Sequence, residues 1–320
     1  MAPHPSVDRR VFVLQKPRGT GASASIPFDF TVAVLPDTQY YAQKFPDTFH
    51  AQTAWLAANA VREKIVFVSH VGDVVESGGD SRKEWQVATA ALSRMKGKVP
   101  FGIVAGNHDA DLIGNRSTDY AMYREFCGRA LLRDIPTLVA LSEDECSSVH
   151  KFTASGISFL SIHLEPDVRA STISWALEQM DKHLGLPVMV TTHNYLNDVT
   201  RARDKTTSMR LYGNSAEDLF QGFIRKQPRI FCVLGGHQFH AGGEFSQLSR
   251  NDAGGSIIEL LQDYQARTNG GDGWLRLLRF NIKAKKMIVQ TYSPVLKRYE
   301  TDADSYFVMP LELPTGAPTG

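Results

Sequence analysis

Short apolar runs alternate with helix-like stretches over the first third of the chain, and this alternation predicts strands and helices in turn. Residues 30–35, 65–70 and 99–105 are almost wholly apolar, which is typical of strands buried on both faces of a parallel sheet. Residues 46–64 are expected to form a helix, and residues 81–96 carry apolar side chains at helical spacing. This order predicts a parallel sheet with right-handed crossovers.

The rest of the chain continues in the same way and then changes character. The middle predicts a hairpin (149–153 and 157–162), a helix (172–184), a strand (188–192), a helix from Asn214 or Ser215 to about 226, and a strand (230–234). The last third predicts β-hairpins, with strands at 256–261, 275–280 and 286–292 and a turn at 270–273.

Polar side chains follow five of the buried strands directly. In open α/β sheets, ligands collect beyond the carboxyl ends of the strands, so these side chains are expected to meet. Each of these side chains could instead serve only the local backbone, as part of a turn or a helix cap. For example, Asn107 and His108 alone would fit a turn, with Asp109 as a cap. Five such ends at one rim are hard to explain by turns and caps. The side chains are Asp37 and Gln39, Asp73, Asn107, His193, and His237 with His240.

The chemistry of these side chains predicts a metal centre. Carboxylates, amide oxygens and imidazoles together suit manganese, iron, zinc or magnesium, and do not suit copper(I) or an iron–sulfur cluster. There are enough ligands for two ions, with Asp73 as the natural bridge. Two ions about 3.5–4 Å apart can bind both the attacking and the leaving oxygen of an in-line displacement.

Composition narrows the function classes without identifying one. The chain has 320 residues, 42% of them hydrophobic, and a formal net charge of +1, which argues against a nucleic-acid binder that works by bulk electrostatics. No apolar run approaches the roughly 20 residues that span a bilayer. Residues 1–26 lack the apolar core of a signal peptide, so we expect a soluble, cytoplasmic protein; a signal removed earlier is the alternative. Cys127 and Cys146 are able to pair, but spacing does not decide it.

In order along the chain, these motifs resemble the calcineurin-like metallophosphoesterases. The family pattern is D-x-H, G-D-x-x, G-N-H-[DE], a lone His after a later strand, and G-H-x-H. The resemblance spans about residues 30–292 and implies an α/β fold, a two-sheet metallophosphoesterase sandwich of mixed sheets flanked by helices in four layers. It implies a single domain over residues 27–312, between an N-terminal extension (1–26) and a frayed tail (313–320). The matching stretches are Asp37-Thr38-Gln39, Gly72-Asp73-Val74-Val75, Gly106-Asn107-His108-Asp109, Thr192-His193 and Gly236-His237.

The resemblance also implies a ligand set and an activity. The protein would hydrolyse a phosphodiester or phosphomonoester of a small molecule, using two divalent or trivalent ions of manganese, iron or zinc. Asp73 would bridge the ions, and Asp37 and Gln39 would belong to one of them. The other ion would be completed by Asn107, His193 and His237.

Catalytic roles follow from the same resemblance. A metal-bound hydroxide would attack phosphorus while His108 acts as general acid toward the leaving oxygen, or as a donor to the phosphoryl oxygens. Asp109 would orient and charge the ring of His108. Four further residues are expected to line the pocket or to clamp a phosphate, although rim packing or a solvated loop explains them as well: Tyr40, Tyr195, Arg201 and Arg203.

Two departures from the family pattern fall on the same ion. Gln39 stands where most members have His, and an amide oxygen is a weaker ligand for a transition metal. Phe239 stands where the second His of G-H-x-H is expected, with His240 one position later. We expect a bulge to bring His240 to the ion; otherwise that site lacks the ligand.

These departures leave two other functions open. The chain would be a binding or scaffold protein if the site that includes Asp37 is degraded. Alternatively, the same metal centre would cleave a bond other than a phosphate ester, because fold and ligands do not fix the substrate. The sequence does not specify the oligomeric state.

Overall fold

The fold is described by a computed structural model over residues 27–113, 119–202 and 213–314. Its strands are β1 (Phe30–Leu35), β2 (Ile65–His70), β3 (Phe101–Ile103), β4 (Leu138–Leu141), β5 (Ser148–Ala154), β6 (Ile157–His163), β7 (Val188–Asn194), β8 (Ile230–Gly236), β9 (Glu244–Arg250), β10 (Ser256–Gln262), β11 (Leu275–Asn281), β12 (Lys286–Ser293), β13 (Arg298–Tyr299) and β14 (Tyr306–Pro310). They form two seven-stranded mixed sheets.

Most of the helices connect these strands. They are α1 (Gln39–Gln43), α2 (Pro46–Asn59), α3 (Arg82–Ser93), α4 (Ala121–Cys127), α5 (Arg129–Leu132), α6 (Ala170–Lys182), α7 (Ala216–Gly222) and the four-residue α8 (Thr268–Gly271), with short 3-10 helices at Ile224–Lys226 and His240–Gly243. Ser215 caps α7 in a reciprocal capping box with Asp218, which confirms one of the two predicted starts of that helix.

The two sheets pack face to face, and helices cover their outer faces. Along β1, Val32 and Val34 point into the core between the sheets, whereas Ala33 and Leu35 pack under the helices. The other side of the inter-sheet core comes from the second sheet, for example Phe231 on β8. Helices α1 to α5 pack on the first sheet, and α6 and α7 pack on the second. This is the predicted two-sheet sandwich.

Each sheet contributes three adjacent parallel strands that lead to the site. In the first sheet, of order β13-β12-β11-β1-β2-β3 with β14 beside β12, strands β1, β2 and β3 are parallel. In the second sheet, of order β4-β5-β6-β7-β8-β10-β9, strands β6, β7, β8 and β10 are parallel, and the last three of them lead to the site. The predicted ligand positions follow the carboxyl ends of five of these six strands.

The prediction for the last third of the chain is confirmed for β11 and β12, which pair antiparallel, and is wrong for β10. Strand β10 does not form a hairpin with β11; it pairs in parallel with β8 and antiparallel with β9. The chain then crosses to the first sheet, where β11 pairs with β1. Strand β10 is buried throughout, so its apolar run does not distinguish a parallel partner from an antiparallel one. Strands β9, β13 and β14 were not predicted.

A buried polar cluster joins the two sheets near one edge. Glu244, at the start of β9 in the second sheet, accepts hydrogen bonds from Arg276 on β11 and from Thr291 on β12 (2.6 Å) in the first sheet. Arg267 (3.0 Å) and Ser305 (2.6 Å) also donate to it. Burial raises the pKa of Glu244, but Arg276 and the other donors outweigh burial and hold it at about 2. This carboxylate is therefore an ionised clamp between the sheets.

Two further observations concern the described residues. None of their helices combines the length and the apolar character needed to cross a bilayer. The three cysteines, Cys127, Cys146 and Cys232, are free and buried.

Candidate metal centre

Four potential ligand atoms converge where the strand ends of the two sheets meet. Nε2 of His193, on β7, lies 3.1 Å from Oδ1 of Asn107, 3.2 Å from Nδ1 of His237 and 3.3 Å from Oδ1 of Asp73. We call this group of four side chains the nitrogen-rich site. Its members come from the ends of β2, β3, β7 and β8, as the sequence predicted.

His193 presents its Nε2 to the other ligand atoms. Nδ1 lies 2.9 Å from the carbonyl oxygen of Val71, which only accepts, so Nδ1 carries a hydrogen and Nε2 is the nitrogen available to a cation. Burial lowers the pKa of His193, but Asp73, 3.3 Å from Nε2, outweighs burial and raises it. Ligand atoms about 2.1 Å from one ion stand roughly 3.0–3.4 Å apart. The observed spacing therefore fits a bound cation.

Glycines allow the ligand carboxylates to approach the backbone. A Cβ on Gly106 would lie 2.0 Å from Oδ1 of Asp73, and a Cβ on Gly236 would lie 2.1 Å from Oδ1 of Asp37. Asp73 and His237 themselves adopt left-handed backbone, with φ of 47° and 72°. Such conformations cost energy in non-glycine residues and are common at functional sites.

Asp37 and Gln39 flank Thr38, whose backbone N–H donates to the carbonyl oxygen of Asp73 at 2.9 Å. Both are about 1% exposed. Oδ2 of Asp37 accepts a hydrogen bond from the backbone N–H of His237 at 2.9 Å. Its Oδ1 and the Oε1 of Gln39 are buried and have no hydrogen-bond partner among the residues described. We call Asp37, Gln39 and Asp73 the oxygen-rich site. Two unsatisfied buried oxygens beside a shared carboxylate fit a second cation.

The histidine of the Gly-Asn-His-Asp stretch has a different partner from the one predicted. Nδ1 of His108 lies 3.1 Å from the carbonyl oxygen of Glu76 and 3.2 Å from Oε2 of the same residue. Asp109 instead accepts hydrogen bonds from the backbone N–H groups of Gly106, Val74 and Val75 at 2.7–3.1 Å. The prediction that Asp109 orients the ring is wrong, because both of its oxygens hold the loops that carry Asp73 and Asn107. Its charge does raise the pKa of His108, after the charges of Asp73 and Glu76.

The stretch after β8 does not bring a further imidazole into the nitrogen-rich site. Among the described residues, the mutually close ligand atoms there belong to Asp73, His193 and His237. Phe239 is 42% exposed. His240 is also exposed and begins the short 3-10 helix, with its ring 4.9 Å from that of Phe239. A role for His240 as a ligand remains a prediction.

The predicted substrate residues separate into three groups. Tyr40, in α1, is partly exposed and close enough to Glu76 for that carboxylate to raise its pKa, although burial raises it more. Tyr195 and Arg201 are buried under the helix side of the second sheet, and Arg201 pairs there with Glu259 at 2.7 Å. Their prediction as pocket residues is wrong, because substrate cannot reach them. Arg203 lies outside the described residues.

One buried acid at the same rim was missed from the sequence. Asp263 follows β10 directly and is fully buried. The apolar run ending at Leu261, followed by a carboxylate, is the signal that identified the other strand ends. It was overlooked because β10 was assigned to a hairpin.

A sequence profile described as calcineurin-like phosphoesterase matches residues 30–239. The chain belongs to this family. The match runs from β1 to the stretch after β8 and so contains every residue of both candidate sites. Family membership makes metal-dependent phosphoester hydrolysis the general chemistry of the fold.

Individual relatives agree with this family without adding a substrate. The uncharacterized protein YvnB of Bacillus subtilis (strain 168) is 27% identical over 283 residues, which is 85% of this chain and 21% of that protein. The chain thus spans about a fifth of the length of this curated relative. The structure of a dimetal phosphatase from Danio rerio superposes with a TM-score of 0.53 at 12% identity, covering 89% of this chain and all of that one. At this identity the likeness concerns the fold alone.

The electrostatics of this candidate metal centre are dominated by buried carboxyl groups. Burial raises the pKa of Asp109 to about 7, with Asp73 adding to the effect, and raises that of Asp263 to about 7 in the same way. Burial, Asp263 and Asp73 also raise the pKa of Asp37 well above its ordinary range. The pKa of Asp73 alone lies below its ordinary value, because His193 and the neighbouring histidines outweigh its burial. The cluster is therefore an acidic pocket suited to cations.

Proposed function

We propose that the protein hydrolyses a phosphoric ester of a small molecule, either a monoester or a diester, at a centre that holds two metal ions. The convergence of Asp73, Asn107, His193 and His237 around one point carries this proposal. Two ions bound there would activate a water molecule and neutralise charge on the phosphoryl oxygens. Manganese, iron and zinc all match the donor atoms.

Three side chains near the ions would donate the proton, orient the donor and contact the substrate. Because Nδ1 of His108 faces Glu76, its Nε2 is the atom that would hold the proton for the leaving oxygen. The side chain is 27% exposed, which leaves the ring accessible to a substrate. Glu76 would keep the ring in this orientation and favour its protonated form. Tyr40 would contact the substrate from the rim.

The test combines metal analysis with turnover of aryl phosphate mono- and diesters. We expect the purified, metal-loaded protein to hydrolyse p-nitrophenyl phosphate, bis-p-nitrophenyl phosphate or both. Asp73→Asn is expected to lose bound metal and activity together. His108→Ala is expected to keep its metal and to lose about 10²–10⁴-fold in kcat. If the wild type and both variants are equally inert with their metals loaded, the proposal is wrong.

A binding or scaffold role is the second candidate, favoured by the exposed Phe239 and His240 where a ligand imidazole was expected. This role predicts fewer than two tightly bound ions per chain. Elemental analysis of the purified protein distinguishes the two candidates, because two ions per chain argue strongly against a degraded site.

A further inference from the structure

His70 is a buried imidazole beside the metal centre that the proposed mechanism does not use. It is the last residue of β2, three positions before Asp73, and is 1% exposed. Its Nδ1 lies 3.1 Å from the backbone nitrogen of Gly72, and its Nε2 lies 2.9 Å from Oγ1 of Thr38. Both ring nitrogens are therefore engaged within the protein, and neither is left to bind a cation.

The partner of Nδ1 determines which nitrogen of His70 carries the hydrogen. The backbone N–H of Gly72 can only donate, so Nδ1 accepts and is unprotonated. The single hydrogen of the neutral ring is then on Nε2, which donates it to Oγ1 of Thr38. Burial lowers the pKa of His70 to about 3, which agrees with a neutral ring. The hydroxyl of Thr38 in turn donates its own hydrogen to the carbonyl oxygen of Val74 at 3.2 Å.

The three hydrogen bonds run in one direction, and we call them the His70 relay. They lead from the N–H of Gly72 through His70 and Thr38 to the carbonyl group of Val74. Gly72 and Val74 are the two neighbours of Asp73 in the sequence. Thr38 stands between the other two members of the oxygen-rich site. The relay therefore joins the turn that carries Asp73 to the turn that carries the remaining oxygen ligands.

The turn around Asp73 has a backbone conformation that needs such support. Gly72 and Asp73 both have positive φ, of 105° and 47°, and a residue other than glycine keeps this conformation only where its surroundings impose it. The backbone N–H of Thr38 also donates to the carbonyl oxygen of Asp73 at 2.9 Å. A Cβ on Gly72 would lie 2.6 Å from Nδ1 of His193, so the ring of His193 packs on the backbone that His70 holds. Ligands of both sites thus depend on this turn.

We infer that His70 is a positioning residue of the metal centre, which binds neither metal nor substrate. Through the His70 relay it holds Asp37 and Gln39 in place against Asp73. It does so in one tautomer only, because a hydrogen on Nδ1 would oppose the N–H of Gly72. Ligands that are held in place before the ion arrives bind it more tightly than ligands that must be ordered on binding. The inference rests on the proposed dinuclear centre and makes its metal affinity depend on a residue outside the ligand set.

The experiment measures metal affinity in variants that break the His70 relay at either side chain. Chelator-stripped wild type, His70→Phe, Thr38→Val and Thr38→Ser are titrated with Mn²⁺ by calorimetry, and bound metal is counted by elemental analysis. Thr38→Val keeps the shape of the side chain but removes the hydroxyl, whereas Thr38→Ser keeps the hydroxyl. We expect two ions at similar affinity in the wild type and Thr38→Ser. In His70→Phe and Thr38→Val the affinity for one ion should fall roughly 10–100-fold, while the other ion keeps its two imidazoles.

His150→Phe is the matched control for the loss of a buried imidazole. His150 is fully buried, and its two nitrogens lie 3.1 Å from Oγ1 of Thr137 and 3.3 Å from Oγ of Ser148, outside the turns that carry the ligands. Melting temperatures of the chelator-treated proteins measure the structural cost of each change. We expect both histidine variants to melt at a lower temperature, and His150→Phe to bind metal as the wild type does. An equal loss of affinity in the two would overturn the inference, because His70 would then act only by stabilising the fold.

Two measurements keep the inference testable if His70→Phe is poorly folded. The affinity losses of His70→Phe and Thr38→Val should not add in the double variant, because both changes break the same relay. Full additivity would contradict the inference. In wild type labelled with ¹⁵N-histidine, NMR should show His70 with its hydrogen on Nε2 and none on Nδ1. The opposite tautomer, or a doubly protonated ring, would overturn the inference without the use of any variant.

The outcomes also separate this inference from the proposed function. Wild-type affinity for both ions in His70→Phe and Thr38→Val would overturn the inference and leave the function standing. The expected affinity losses in a protein that cleaves no phosphate ester would contradict only the function. A wild type that binds fewer than two ions would contradict the dinuclear centre and the inference together.

Discussion

The imidazole of His108 faces Glu76, with Nδ1 3.2 Å from Oε2 of that carboxylate. Burial lowers the pKa of His108, but Asp73 and Glu76 together outweigh burial and raise it above its ordinary value. Glu76 therefore acts on the proposed general acid through orientation and charge, while Asp109 serves the backbone around it.

Replacing Glu76 is expected to change the pH dependence of catalysis, whereas replacing Asp109 is expected to lower the stability of the fold. Glu76→Gln should lower the pKa of His108, so activity is lost at a lower pH on the alkaline side of the pH–rate profile. The loss should be greater for an alkyl phosphate than for p-nitrophenyl phosphate, whose leaving group needs little protonation. Asp109→Ala should lower the melting temperature, since three backbone N–H groups lose their hydrogen-bond acceptor whatever its charge. An unshifted alkaline limb in Glu76→Gln would contradict the first expectation.

The metal-free protein is expected to lose stability as pH rises from about 4 to about 7. Asp109 and Asp263 have pKa values of about 7 in the folded protein, raised chiefly by burial, against about 4 in the unfolded chain. The folded state keeps protons that the unfolded chain has released, so the free energy of unfolding falls over this interval. Bound cations compensate the ionised carboxylates and remove the fall. Thermal melts at several pH values, with chelator and with Mn²⁺, measure the melting temperature of the metal-free and metal-bound protein. Melting temperatures that fall equally with pH in both would contradict this expectation.

Gly106→Ala is expected to weaken metal binding and also to lower the melting temperature. Its Cβ would lie 2.0 Å from Oδ1 and 2.3 Å from the backbone nitrogen of Asp73, so both the carboxylate and the backbone that carries it must move. We expect an affinity loss of roughly 10–100-fold by calorimetry, comparable to the loss of a group that orients a ligand. Gly222→Ala, where a Cβ meets nothing within 4 Å, is the matched control and should bind metal as the wild type does.

The clamp at Glu244 is expected to support stability and not catalysis. Glu244→Ala leaves the fully buried Arg276 without its acidic partner, which costs about 3–5 kcal/mol in the free energy of unfolding. Glu178→Ala removes an exposed pair with Lys182 and should cost at most about 0.5 kcal/mol. Denaturant titration measures both values. A cost for Glu244→Ala as small as that of the control would show that the clamp contributes little.

Much of the fold was accessible from the sequence because buried parallel strands carry a strong signal. Strands β1 and β2 begin and end at the predicted residues, since an apolar run followed by a polar side chain marks the end of such a strand. The edge strand β9 was missed because its side chains are mostly half-buried and give no apolar run. The pairing of β10 depends on contacts with β8 that lie far away in the sequence.

Site residues could be predicted where a metal-binding side chain follows a strand end. They could not be predicted where the direction of the side chain depends on how loops pack. The convergence of Asn107, His193 and His237 follows from the strand-end rule. The pairing of His108 with Glu76, and of Asp109 with the backbone, does not follow from that rule. It depends on which backbone N–H groups the packed loops bring within reach of each carboxylate. Burial of Tyr195 and Arg201 likewise follows from the helices that cover the second sheet, which residue type alone does not reveal.

The division of the proposed ligands between the two sheets has a consequence for biosynthesis. Asp37, Asp73 and Asn107 all precede the second sheet and offer only oxygen atoms as ligands. Both imidazoles, of His193 and His237, lie at strand ends of the second sheet. A growing chain therefore presents only oxygen donors until the second sheet emerges. Tight metal capture, and the choice between metals, is accordingly expected to follow the synthesis of that sheet.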